Sequence, residues 1–478
     1  MPNVTPAMAE RATAAPRALA VILALTAWRL AWLPASDLEL YVDEAQYWLW
    51  GRELAAGAWS KPPLVGWLIR AANEIAGSDA AWVARLPWPL VHGAAAVAVM
   101  GVGRVLAGDA VGALAGVVYA TLPAVSVGSI LISTDSPQLL ALALVLLAWL
   151  RAPGPWGAAL AGAALAAGMW SKYAMLFALP GLAVAAWIDP RWRRPWGQAG
   201  IAAAVALVLF APNIRWNLTH DLATVRHTVQ NADWQGGLDL GRAGLFLAEQ
   251  FAVAGPLGFA ALLVALARRW PTGLRGLVAL TAAPLAIVAA QAAQSGANAN
   301  WAVGAYVPGA VLVAALLAPR PRLAMLAVAL NGGLALALPV IGTRAQDWQR
   351  DGAPVLARYV GNAAVADAVL DRAAQQGAGL IVASDRALLA QLVLRATTTG
   401  GPAVVRTVPA PWGPEPSHYD LIYPLRDEPG PALWAGDVAH PPACADPVLA
   451  LPPGRGELGG RALATAAVAP DCLDRLRR

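Results

Sequence analysis

Charge is scarce in this chain. Asp, Glu, Lys and Arg make up 13% of its 478 residues, about half the usual share of a soluble protein, which excludes an ordinary water-soluble globule. Lysine is scarcer still: of 34 basic residues, only Lys61 and Lys172 are lysines. Cysteine occurs twice, as Cys444 and Cys472. No internal repeat is visible, and no low-complexity tract beyond Ala/Leu richness. A net charge of +5 on so large a chain is not the footprint of a nucleic-acid binder.

What the chain does have is long apolar runs separated by short charged punctuation, the mark of a polytopic helical membrane protein. Eleven spans are expected, at 17–34, 87–106, 110–130, 136–152, 155–170, 173–188, 197–213, 242–266, 274–292, 302–318 and 322–342. The first has a basic flank (Arg11, Arg17) but no small-residue cleavage site, so it reads as a retained span rather than a signal peptide. With the N-terminus cytoplasmic, the loops after the even-numbered spans carry ten arginines against two acids, Asp109 and Asp189. The opposite set (35–86, 131–136, 170–173, 213–242, 293–301) holds eight basic residues against eleven acids. This agrees with the positive-inside rule and puts the C-terminus outside.

After residue 343 the composition changes: 344–478 carry 27 of the 63 formal charges and no spanning segment. The expected domains are therefore a transmembrane part, 1–343, with a first outer loop at 35–86, and an outer α/β domain, 344–478. Strands are expected at 379–385, 403–408 and 419–425, with an amphipathic helix at 386–396. Cys444 and Cys472 fall in this domain, and in an oxidising compartment an isolated pair favours a disulfide.

Candidate chemistry gathers on the outer face. "DEAQYWLW" sets Asp43 and Glu44 beside each other, with Tyr47 on the same helical face as Asp43. Trp48, Trp50, Trp59 and Trp67 suit two short interfacial helices with their indoles at headgroup level. Both lysines lie on outer loops, in "WSKPP" and "MWSKYAM", where a compact ammonium in an arginine-rich chain suits a lipid phosphate. "TDSPQ" adds Asp135. "PNIRWNLTHDLATVRHT" adds Arg215, His220, Arg226 and His227, and "ANANWAVGAY" adds Asn300 and Trp301.

"DEAQYWLW", "KPPLVGWL", "ARLPWPL", "TDSP", "SKYAMLFALP", "PNIRWNLTHD" and "ANWAVGAY", in this order over roughly 17–345, resemble the family 39 glycosyltransferases. That family includes dolichyl-phosphate-mannose protein mannosyltransferases and the aminoarabinose transferase of lipid A. The resemblance implies the GT-C fold and a sugar donor carried on polyprenyl phosphate. The acceptor would be a lipid or glycan of the cell envelope, reached from the outer leaflet of a bacterial inner membrane among its lipids. It implies Asp43 as the general base with Glu44 and Tyr47 beside it, and Lys61, Lys172 and Arg226 on the donor phosphate. Asp135, Arg215, His227, Asn300 and Trp301 are the candidate substrate contacts. Asp43, Glu44 and Asp135 could hold a divalent cation, Mg or Mn, although the lysines could neutralise a phosphate without one. Ser60 precedes Lys61 where the aminoarabinose transferases carry glutamate, which argues against an amino-sugar donor.

Other classes weigh less. A transporter or flippase would carry ionisable groups near the midplane and repeat symmetry, whereas the spans hold few such groups, among them Arg29, His92 and Glu249. A non-catalytic scaffold would not need Asp43, Lys61 and Lys172 together. Within the enzyme class, lipid A or core oligosaccharide, another surface glycan, and a protein hydroxyl all remain as acceptors.

Overall fold

The computed structural model describes residues 6–232, 236–408, 417–428 and 430–477; the outer-loop acid Asp233 lies outside them. The chain forms two compact units: Met1–Pro34, Ala55–Leu68 and Arg85–Pro339 make one, and Ala35–Leu54, Ile69–Ala84 and Val340–Arg478 the other. Two pieces of the first outer loop, Ala35–Leu54 and Ile69–Ala84, thus belong with the C-terminal unit.

The first unit is helical. Six helices among the described residues are long and apolar enough to cross a membrane: Ala14–Ala35, Ala81–Ala107, Trp196–Thr219, Leu274–Ser295, Ala299–Leu317 and Pro321–Gly342. The stretch read as one span at 242–266 is a pair, Leu240–Ala254 and Pro256–Ala267, bent by 118°. Gly255, at φ +81°, and the proline after it break the helix there. The remaining four expected spans are shorter helical segments, Asp109–Thr121, Asp135–Arg151, Pro155–Ser171 and Tyr173–Ile188. Small residues let the helices approach: a Cβ on Gly103 would lie 2.8 Å from the Cα of Gly112 on the next helix. Outward-facing side chains stay apolar, with Leu207 and Val208 exposed on the helix Trp196–Thr219, as lipid contact requires.

The second unit contains a five-stranded sheet of β1 (Leu380–Ala383), β2 (Val404–Thr407), β3 (Ala432–Asp437), β4 (Val448–Ala450) and β5 (Leu463–Val468). The spatial order is β2-β1-β3-β5-β4. The β1–β2 and β1–β3 pairs are parallel; β3–β5 and β4–β5 are antiparallel. The fully buried β1 reads "LIVA", the continuous apolar run of a parallel strand covered on both faces. The helix Arg386–Thr399 starts at the Asp385 N-cap, whose carboxylate accepts from Leu388 N–H at 2.8 Å.

One expected strand is a helix in its first part, while Pro424 keeps a parallel bridge to Thr407. Residues 419–425 were expected to be extended, but His418–Ile422 is helical because Ser417 and Asp420 form a capping box. The Asp420 carboxylate accepts from the Ser417 backbone N–H and hydroxyl at 2.5 and 2.7 Å. Cys444 and Cys472 are joined by a disulfide, with Cα atoms 5.5 Å apart.

The loop pieces are tied to this unit by their own polar groups. Glu39 accepts from Asn362 and Ala363 N–H at 2.7 and 3.1 Å, capping the helix Asn362–Gln375, while Gln391 donates to Leu40 C=O at 2.8 Å. Trp48 and Trp50 correct the expectation of indoles at headgroup level. They are 1% and 3% exposed and pack inside the unit, a burial worth on the order of 2 kcal/mol each. Trp48 Nε1 donates to Asp79 at 3.1 Å.

Candidate active site

In the first unit, Lys172 ends the helix Pro155–Ser171 in an extended conformation, which turns its side chain towards the start of the helix Asp135–Arg151. Its ammonium lies 2.6 Å from Asp135 Oδ1, and Asn300 Nδ2 donates to Oδ2 at 2.8 Å. Three expected site residues thus meet around one carboxylate that is 8% exposed. Behind it runs a buried polar column. Ser136 Oγ is 2.9 Å from His92 Nε2, and His92 Nδ1 is 3.3 Å from the Tyr119 hydroxyl. Arg29, also buried, donates to Ala120 C=O at 2.8 Å and to Ser126 Oγ at 3.1 Å.

The loop that carries Lys61 is strapped down by residues that sequence reasoning passed over. Asn213 Nδ2 donates to Ala56 C=O at 2.8 Å, and Thr224 Oγ1 donates to Ala58 C=O at 2.7 Å. Tyr173, next to Lys172, donates its hydroxyl to Asn213 Oδ1 at 2.7 Å. A continuous strap therefore runs from the backbone beside Lys172 to the loop beside Lys61. Gly57 lies flat on the Trp216 indole, where a Cβ would be 2.1 Å from Cε3. His227 faces Trp59 at 6.4 Å between ring centroids, and Arg226 is exposed on the same helix, Ala223–Ala232. Arg215 is exposed on the helix Trp196–Thr219, which also carries Asn213 and Trp216. Trp301 is packed beside Phe246 and Leu285, and lines a small cavity with Gln138, Met175 and Phe177. Its place is mainly that of a packing residue.

In the second unit, the helix Val42–Glu53 presents Asp43 on its first turn. Its carboxylate accepts from the Tyr41 hydroxyl at 3.1 Å and is ion-paired with Arg386. Burial, and then Asp43 itself, push the Tyr41 phenol far up, so that it remains a protonated donor. Arg386 Nε donates to Gln46 Oε1 at 2.9 Å. Nothing in the sequence pointed to Arg386, which is 343 residues from Asp43. Glu44 and Tyr47 are buried, whereas Asp43 on the same helix is part-exposed. Glu44 is 0% exposed and accepts from Tyr41 N–H at 3.3 Å, the work of a helix cap, and Tyr47 packs on Trp50 at 4.8 Å.

No group of three or more His, Cys, Asp or Glu side chains among the described residues is placed to hold a metal ion. Asp135 has both oxygens engaged by Lys172 and Asn300. The described residues do not fit a divalent cation.

Residues 60–216 match the family described as dolichyl-phosphate-mannose-protein mannosyltransferase. The chain is 35% identical over 468 residues to the lipid A galacturonosyltransferase RgtD of Rhizobium johnstonii, across 95% of this chain and 98% of that protein. Its fold is similar to ArnT from Cupriavidus metallidurans. The TM-score is 0.65 to the apo state at 15% identity, covering 94% of this chain and 97% of that one. To the form bound to undecaprenyl phosphate it is 0.66 at 14% identity, covering 95% and 98%. The expected family and fold are therefore both met, and the chain belongs to the family 39 glycosyltransferases, as a polytopic membrane enzyme of the GT-C fold.

Proposed function

We propose that this protein transfers a galacturonosyl residue from a polyprenyl phosphate carrier to lipid A, at the outer face of a bacterial inner membrane. The observation that carries the reading is the end-to-end likeness to a lipid A galacturonosyltransferase. It favours a lipid acceptor over the protein hydroxyl named by the family description, which matches residues 60–216 only. Undecaprenyl phosphate bound to a protein of the same fold supports the carrier class, and Ser60 in place of glutamate is consistent with a sugar that bears no amine.

In this reading the leaving group is already a phosphate, so the enzyme needs no nucleotide to activate it. Asp43 takes the proton from the acceptor hydroxyl. The acceptor oxygen bonds to the anomeric carbon as the bond to the phosphate oxygen breaks, its electron pair passing to the phosphate, with inversion. Lys61, Lys172 and Arg226 stabilise the charge that grows there. The Asp135 and Asn300 contacts fix the Lys172 ammonium in place, leaving its other N–H bonds for the phosphate. The basic loops are cytoplasmic and the N-terminus with them.

The test is reconstitution of the purified protein with polyprenyl-phosphate galacturonate and lipid A, read by mass spectrometry as a gain of one hexuronosyl residue. Asp43→Asn should lower turnover at least ~100-fold while donor binding survives. Absence of transfer by the wild type, together with unchanged lipid A in cells lacking the gene, would overturn the assignment.

A further inference from the structure

The pairing of Asp43 with Arg386 poses a chemical difficulty for a general base. A guanidinium against a carboxylate stabilises the anion and makes it a reluctant proton acceptor. If Asp43 takes a proton during transfer, some event must first weaken its hold on Arg386. The donor can supply that event if it carries an anion of its own beyond the phosphate.

We infer that Arg386 is a specificity-determining residue of the transfer: it receives the carboxylate of an acidic sugar on the donor and thereby releases Asp43 to act as base. The inference rests on the reading above that the sugar is a uronic acid, and every residue it uses lies in the second unit. Arg386 opens the helix Arg386–Thr399, and its neighbour Asp385 is fully engaged, capping that helix and pairing with Arg461 at 3.0 Å. The guanidinium is aimed by two acceptors on the helix Val42–Glu53, Gln46 Oε1 at Nε and Asp43 Oδ1 at Nη2. Gln46, 1% exposed, cannot easily move. Among the described residues Nη1 makes no hydrogen bond, so a planar fork that matches a carboxylate with two parallel N–H bonds keeps donors in reserve.

An incoming carboxylate acts twice. It competes with Asp43 for the guanidinium, and its own negative charge disfavours a second anion beside it, which makes Asp43 the more willing base. A neutral hexose, with a hydroxymethyl group in place of the carboxylate, does neither.

A second observation marks the same neighbourhood. Trp50 Nε1, both ring nitrogens of His418 and the Tyr419 hydroxyl are buried with no hydrogen-bond partner among the described residues. His418 lies 5.7 Å from Trp50 and 6.3 Å from Tyr419, ring to ring, and the Arg386 charge acts on both His418 and Tyr419. Native interiors leave few polar atoms unpaired. Four in one cluster beside the Arg386–Asp43 pair suit a ligand rich in hydroxyl groups.

The experiment compares polyprenyl-phosphate galacturonate with polyprenyl-phosphate galactose, which differ only at C6, using the full-length protein in nanodiscs. Binding of each donor is read by tryptophan fluorescence, and transfer to lipid A by mass spectrometry. The wild type should favour the acidic donor at least ~10-fold, Arg386→Gln should erase that preference, and Arg386→Lys should restore it only in part because an ammonium lacks the fork. Thermal unfolding of both variants tells a lost subsite from a lost fold, and the lysine variant keeps the charge if the glutamine variant does not fold. A preference that survives in Arg386→Gln, or a wild type that binds both donors equally, would overturn the inference. If the wild type binds the acidic donor preferentially yet transfers neither sugar, the proposed function fails while the role of Arg386 in recognition stands.

Discussion

Two lysines in an arginine-rich chain carry a prediction that can be made residue by residue. If Lys61 and Lys172 share one phosphate, Lys61→Ala and Lys172→Ala should each lower turnover more than donor affinity, and the double variant should lose less than the product of the single losses. Arginine at either position should rescue only partly. Lys172→Ala also strands the mostly buried Asp135, at a cost on the order of 3 kcal/mol. Adding Asp135→Ala should recover unfolding temperature without recovering turnover. Strictly multiplicative losses with full activity in the arginine variants would refute the shared phosphate. His418 yields a pH prediction. Burial, and then the Arg386 charge, lower its pKa from 6.5 to about 3. The folded chain refuses a proton that the unfolded chain accepts, so this contribution to stability is complete above pH 6.5 and declines as the pH falls towards 3. Between pH 6.5 and about 5, above the range of ordinary carboxylates, the unfolding midpoint should fall further in the wild type than in His418→Leu. An equal fall in both proteins would assign the effect to other groups.

Elements place these residues, and the loop before Lys61 is the most exacting of them. Asn213 and Thr224 hold its carbonyls, and Gly57 rests on Trp216 with no space for a methyl group. Gly57→Ala must displace either the loop or the indole. A shift of about 1 Å at Lys61 would lower turnover roughly 100-fold, with the overall fold retained by circular dichroism. Unchanged turnover would show that the indole yields instead. At this scale the sequence was informative wherever an element owed its form to local pattern. The helices at 87–107 and 274–295 and the strand at 380–383 stand where periodicity and apolar runs set them. It misled at 419–425, where alternating Tyr, Leu and Ile suggested a strand while Ser417 and Asp420, three apart, built a helical turn. It was silent on the bend at Gly255, since one glycine before a proline inside an apolar run reads as a tolerated break.

At the scale of the molecule, the sorting of charge predicts that the first loop and the C-terminal unit share the outer side. In a background with Cys444 and Cys472 replaced by serine, cysteines at Ser36 and Gly454 should react with an impermeant maleimide in intact spheroplasts. One at the exposed Arg269 should react only after permeabilisation. Labelling at Arg269 alone would mean that the chain is inserted the other way. Loss of the disulfide, which closes a separation of 28 residues, should itself lower the stability of this unit by about 3–4 kcal/mol. The unfolding temperature of the background protein must therefore be checked first.

The sequence by itself determined that this is a polytopic membrane enzyme and its family, and it nominated the acids and lysines proposed for its chemistry. Those follow from composition, apolar periodicity and short motifs, all of which act over a few residues. Only the tertiary structure decided which groups meet. Asp135 with Lys172 and Asn300, Ala56 with Asn213, and Asp43 with Arg386 join positions 37, 165, 157 and 343 residues apart. Side-chain geometry also turned Glu44 inward as a cap and left Asp43 at the surface, although the two are adjacent in the chain. Contacts over such separations depend on how whole helices pack, and no local pattern of residues encodes them.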